Sequence, residues 1–271
     1  MKTIKYLGLA GFAAASLFAS QAFATPCAAG FDGGPTCIAT TNSYGEHTLD
    51  QILGAAGTDG SIFSAGNGIN PYTQQLNPAS YWAVAGTGGS ENTVMLTLTG
   101  SAANLTFGIF DPTNITNTLT LFDGASAGYT TTLKTNGTGG FKATYYASAD
   151  PLADSTGHSD QVYFGGGNLF GYFLKVGNTF YYSDNALNGN GGPRVVTYAG
   201  DGSNKIEATN GVFTPGEYLQ AWEDGTDFDY NDFVVVVESV HPVPEPAALG
   251  MFGLGALLIG FAASRRRREN V

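Results

Sequence analysis

Apolar side chains recur at every second position through most of this chain. Val94, Leu96 and Leu98 alternate with Met95, Thr97 and Thr99; Leu105, Phe107 and Ile109 repeat the spacing, as do Leu119 and Leu121. Successive side chains of a strand point to opposite faces, so this spacing predicts half-buried strands. Further strands are expected at Tyr81–Ala85, Tyr129–Leu133, Phe141–Ala147, Gln161–Phe164, Leu169–Val176, Thr179–Tyr182, Arg194–Tyr198 and Glu217–Trp222. Clusters of Gly, Asn and Asp punctuate them roughly every ten residues. Short strands so spaced predict a mainly β fold, an antiparallel, jelly-roll-like β-sandwich. Leu49, Ile52, Leu53 and Ala56 instead follow a helical period behind the capping box Thr48–Gln51, predicting one short helix that ends at Gly57. The run Gly165–Asn168 between two expected strands reads as a hairpin turn.

One stretch breaks the alternation. Phe233–Val237 is continuously apolar and β-branched, the signature of a buried strand, and the block before it is W-E-D-G-T-D-F-D-Y-N-D. Five carboxylates (Glu223, Asp224, Asp227, Asp229 and Asp232) crowd into residues 223–232 together with Asn231. Like charges a few Å apart repel, and partial burial makes each charged form costlier. A hard cation relieves both, and Ca²⁺ takes this set of carboxylate, amide and carbonyl oxygens. Asp224, Asp227, Asp229, Asn231 and Asp232 are the expected metal ligands, with Glu223 a weaker one and Asp184 a remote contributor. The spacing of Asp227, Asp229, Asn231 and Glu238 imitates an EF-hand loop, but Asp232 stands where that loop needs glycine. A strand over Phe233–Val237 also carries Glu238 roughly 20 Å from Asp232.

Both ends read as targeting segments. Lys2 and Lys5 precede an apolar run to Phe18, and Ala22-Phe23-Ala24 is a cleavage site, so residues 1–24 read as a signal peptide processed by signal peptidase. Pro26 before Cys27 argues against a lipoprotein. At the other end, residues 247–263 carry no charge and span roughly 26 Å as a helix, enough to cross a membrane. Arg265, Arg266, Arg267 and Arg268 follow and would stop transfer, leaving the preceding domain outside.

Pro244-Glu245-Pro246, the Gly- and Leu-rich span and the arginine cluster, in that order, resemble the PEP-CTERM sorting signal of exported Gram-negative proteins. The resemblance implies that residues 243–271 hold the chain transiently in the inner membrane until an exosortase processes it. It also implies association with extracellular polysaccharide and the cell surface. The acidic block, with Gly171–Asn188 upstream, resembles an uncharacterised exported domain with an F-E-D…D-x-D-Y-N-D core. That likeness implies a β-rich surface module with a calcium site and no established activity.

Residues 25–242 then form the exported β-domain. Its basic residues are only Lys134, Lys142, Lys175, Arg194 and Lys205, and the whole chain carries a formal net charge of −11. Nucleic-acid binding needs a basic footprint and is not expected. Cys27 and Cys37 are expected to form one small disulfide in an oxidising compartment. His47, His158 and His241 are scattered, and no nucleophile elbow, zincin helix or phosphate loop occurs, so no enzyme is expected. The sequence thus points to a structural or adhesive surface protein. A calcium-dependent carbohydrate-binding module is the alternative.

Overall fold

The computed structural model describes residues 25–26, 37–40, 45–76, 79–85, 90–97, 105–124, 129–146, 158–189 and 192–243. The expected signal segment, Cys27, Pro244-Glu245-Pro246, the span 247–263 and Arg265–Arg268 lie outside these residues. Cys37 is disulfide-bonded. Among the described residues no helix is long and apolar enough to cross a membrane.

In chain order the elements begin with β1 (Thr25–Pro26), β2 (Cys37–Ile38), α1 (Leu49–Ile52), β3 (Phe63–Ala65), β4 (Tyr81–Val84) and β5 (Ser90–Thr97). Then come β6 (Leu105–Asp111), β7 (Asn114–Asp123), β8 (Thr130–Thr135), β9 (Gly140–Tyr146), β10 (His158–Tyr163), β11 (Leu169–Val176) and β12 (Thr179–Tyr182). The last are β13 (Val195–Ala199), β14 (Lys205–Ile206), β15 (Glu217–Trp222), β16 (Phe233–Glu238) and β17 (Val240–Val243). One sheet runs β10-β9-β8-β5-β16-β15-β13 and the other β17-β4-β11-β6-β7, with β12 beside the end of β11. Every pairing within these two sheets is antiparallel.

Alternation places one side of β4, β6, β7, β9, β11 and β16 in the core between the sheets. Phe107 sits at its centre, with its ring centroid 5.4 Å from Tyr172, 5.7 Å from Trp222 and 5.0 Å from Phe233. Among the described residues, the seven-stranded sheet is also covered on its outer face over β13, β15 and β16. There Val196, Tyr198, Leu219, Ala221, Val234 and Val236 pack under α1, Ile62, Phe63, Ile206 and Phe213. This second layer explains the unbroken apolar run of β16. Phe233, Val235 and Val237 face the inter-sheet core, Val234 and Val236 face the outer layer, and both sets are buried.

Two expectations are corrected. The helix is a single turn, Leu49–Ile52, although its capping residue Gln51 does accept the Thr48 amide at 3.0 Å. It stops because its carbonyls are taken by other segments: Ile52 O accepts from the Ile62 amide at 3.0 Å and Leu53 O from the Ile69 amide at 2.7 Å. Gly165–Asn168 is not a hairpin, since β10 and β11 belong to different sheets. The glycines cross between the sheets, and the buried Asp111 carboxylate fixes the crossing by accepting the Gly165 amide at 2.6 Å and the Thr113 amide at 2.8 Å. Burial pushes the Asp111 carboxyl up, but these bonds, with the Thr113 hydroxyl and the Gly166 amide, bring it below its ordinary value.

Replacing Phe107 by alanine empties the centre of the aromatic cluster and is expected to cost about 3–5 kcal/mol in urea unfolding. Ile115→Ala, at an exposed site, is expected to change stability by less than about 0.5 kcal/mol. Equal effects at the two positions would contradict the packing described.

Candidate metal centre

Trp222, the last residue of β15, pairs with Phe233, the first of β16, so residues 223–232 connect two neighbouring antiparallel strands. That connection is longer than the two to five residues usual for a hairpin. Two non-glycine residues in it are left-handed, Phe228 at φ 57 and Tyr230 at φ 56. Each such residue costs on the order of 1–3 kcal/mol and persists only where its surroundings hold it. Here both rings are buried in the outer layer. The Tyr230 hydroxyl donates to Pro193 O at 2.9 Å, and Phe228 O accepts the Ala39 amide at 2.9 Å.

The turning chain brings three carboxylates together. Oxygens of Glu223, Asp227 and Asp229 all lie within 4.8 Å of one another. Glu223 is fully buried and accepts the Gly225 amide at 2.7 Å and the Tyr230 amide at 3.3 Å. Asn231, also fully buried, donates from Nδ2 to Asp229 Oδ2 at 2.8 Å and to His47 O at 2.9 Å, while its Oδ1 has no hydrogen-bond partner. Gly225 keeps the space between two of the acids clear: a Cβ there would stand 3.2 Å from both Asp227 Oδ1 and Glu223 Oε1. Asp224 and Asp232 form a neighbouring pair, joined by the Asp224 amide to Asp232 Oδ2 at 2.6 Å.

Burial first, and then the surrounding carboxylates, shift these groups upward. Desolvation raises Glu223 and Asp232, with Asp227 and Asp229 adding to both. Asp229 is pushed to about 7 by burial and by Asp227. Asp224 is raised by burial and Asp227, partly relieved by its bond to Asp232 and by Arg194. The donor set is all oxygen, dry and anionic. It fits a hard divalent cation and poorly fits an apolar or anionic guest.

Of the expected ligands, Asp227 and Asp229 converge, Asn231 braces Asp229, and Asp224 with Asp232 stands alongside. Glu223, the weaker candidate, is at the centre. Its signal was the alternation of β15: Leu219, Ala221 and Glu223 share the outer face, which looks solvent-exposed until a second layer is known to cover it. Two further groups, remote in sequence, were not foreseen. Glu46 adds negative charge beside Asp224 and Asp229. Arg194 donates to Gly225 O at 2.5 Å and lies 5.1 Å from the Tyr181 ring centroid and 4.9 Å from that of Phe228. Asp184 is not among the convergent acids; its carboxylate accepts the Ala186 amide at 2.9 Å and the Tyr81 hydroxyl at 2.5 Å. Glu238 lies at the far end of β16, opposite Glu217.

The raised carboxyls set the sign of a pH effect. With Asp229 moving from 3.8 unfolded to about 7 folded, the folded state holds more protons between those values, so metal-free stability falls as pH rises through that window. Glu223 and Asp232, raised likewise, extend the fall. Melts of chelator-treated protein are therefore expected to drop from pH 5 to pH 8. A melting temperature that climbs over that range would contradict the electrostatics described.

Residues 242–268 match the family model of the PEP-CTERM protein-sorting motif, a match that covers the tail and not the acidic loop. No curated protein and no solved structure matches the chain. The tail thus carries a PEP-CTERM protein-sorting motif, which supports an exported protein sorted by an exosortase.

Proposed function

We propose that this is a cell-surface or matrix protein, structural or adhesive in role, whose sandwich is completed by one Ca²⁺ held in the loop between β15 and β16. The observation that carries the reading is the meeting of the Glu223, Asp227 and Asp229 oxygens within 4.8 Å beside the unpartnered Asn231 Oδ1. Carboxylate and amide oxygens are the ligand set Ca²⁺ takes, at about 2.3–2.6 Å from the ion. The resemblance of this block to the exported D-x-D-Y-N-D domain agrees with the choice. The ion would offset the mutual repulsion of the loop acids and hold the covering layer against β16. We assign no reaction to the site. Its carboxyls crowd one another, whereas a general acid works from isolation in an apolar pocket.

Two experiments test this reading. Calcium at a hundredfold above its dissociation constant is expected to stabilise the full-length protein by about 2.7 kcal/mol. Glu223→Gln should remove that response and, in chelator at pH 8, melt above the parent because the parent must take up a proton to bury this carboxyl and the amide need not. Identical melts of the parent in calcium and chelator, with no bound metal on elemental analysis, would sink the proposal. Separately, replacing Pro244-Glu245-Pro246 by alanines is expected to leave full-length protein in the inner membrane, and unchanged release would remove the exosortase from the account.

A further inference from the structure

The outer face of the seven-stranded sheet is covered over β13, β15 and β16, but over β8, β9 and β10 it carries an open groove of about 490 Å³. Register places Lys134 opposite Lys142, and Lys142 opposite Gln161, in one row across three strands. All three side chains are exposed. Adjacent strands are about 4.8 Å apart, so the row spans roughly 10 Å, the length of about two sugar rings. Two of the five basic residues of the exported domain therefore stand side by side, and the row contains no carboxylate. Like charges directly opposite on a sheet are destabilising. The nearby Asp160 is turned to the other face of β10, where it meets His158 at 3.6 Å and the Tyr145 hydroxyl at 3.3 Å.

The next row supplies a different chemistry. Tyr163, two residues beyond Gln161 on the same face, is 64% exposed, and its register partner is Gly140. A Cβ at Gly140 would lie 2.4 Å from Asn136 Nδ2, so glycine there lets the Asn136 amide lie over the strand beside the tyrosine. The Asn136 Oδ1 is engaged by the Gly140 and Thr138 amides, each at 2.9 Å, which fixes the side chain in place. The Tyr163 carbonyl accepts from Asn117 Nδ2 at 2.8 Å, which anchors the strand end.

We infer that this groove binds an acidic glycan of the uronate type. Lys134 and Lys142 would take the carboxylates, Gln161 and Asn136 the hydroxyls, and Tyr163 the apolar face of a sugar ring. An ammonium pair alone would suit any polyanion. The exposed ring and the fixed Asn136 amide select a ligand with both hydroxyls and a C–H face. The groove shares no residue with the acidic loop and stands independently of the cation reading.

Calorimetric titration of the full-length protein tests it, with trigalacturonate and maltotriose as probes with and without calcium, and inorganic tripolyphosphate, which would chelate the ion, without calcium. Trigalacturonate is expected to bind at least about tenfold more tightly than maltotriose. The double variant Lys134→Gln/Lys142→Gln should lose about tenfold or more of that affinity while melting no lower than the parent. Tyr163→Ala should weaken trigalacturonate and leave tripolyphosphate unaffected, and Glu223→Gln should leave both unaffected. Equal affinity of parent and double variant, or tripolyphosphate matching trigalacturonate with no effect of Tyr163→Ala, would overturn the proposal. So would a loss of affinity in Glu223→Gln alone, which would place the sugar on a calcium ion in the loop.

Discussion

A strand that is apolar on both faces cannot leave either face wet, and β16 is such a strand. Its inner side chains join the core between the sheets, and Val234 and Val236 require a second cover. That cover consists of α1, the segments around Phe63, Ile206 and Phe213, and the rings of Phe228 and Tyr230. The last two come from the acidic loop itself. The hydrophobic demand of β16 therefore pulls that loop down onto the sheet and dries the outer face of β15, where Glu223 stands. Burying apolar surface and crowding carboxylates are here one event. The first favours folding, at about 1.5–3 kcal/mol for each large side chain fully buried. The second opposes it until the charge is neutralised.

The two electrostatic features of the domain follow from how much of one sheet face is covered. Over β13, β15 and β16 the cover makes the medium dry and the carboxylates hold their protons tightly. Over β8–β10 no such layer is present among the described residues, and the lysines remain in water. An acidic chain has thus placed its densest group of carboxyls under cover and a pair of its few cations in the open. Arg194 is the exception, a buried cation held between aromatic rings and the loop backbone.

Strand positions were the most legible part of the chain. Thr179–Tyr182, Leu169–Val176 and Glu217–Trp222 occur with the bounds their alternation implies. Sheet membership was not legible, because alternation says which side chains share a face and nothing about which strand lies beside which. Gly165–Asn168 looked like a hairpin for that reason. The helix was overextended because its apolar spacing continues to Ala56 while its carbonyls turn to Ile62 and Ile69, partners remote from the periodic segment. At the acidic site, composition pointed to the loop, but the ranking within it depended on burial. Glu223 rose to the centre because the outer face of β15 is covered. Glu46 and Arg194 arrive from elements far away in sequence. Tyr163 and Gly140 drew no notice because their meaning lies in being register partners.

The position of β17 has a consequence for handling at the membrane. Among the described residues this strand occupies an edge of its sheet, pairs with β4, and ends at Val243, one residue before Pro244. Pro242 within it lacks an amide hydrogen, a defect tolerated at an edge. The sorting motif, which begins at residue 242, therefore shares its first two residues with a folded sheet edge, and whatever reads those two residues meets them as part of the sandwich unless β17 opens.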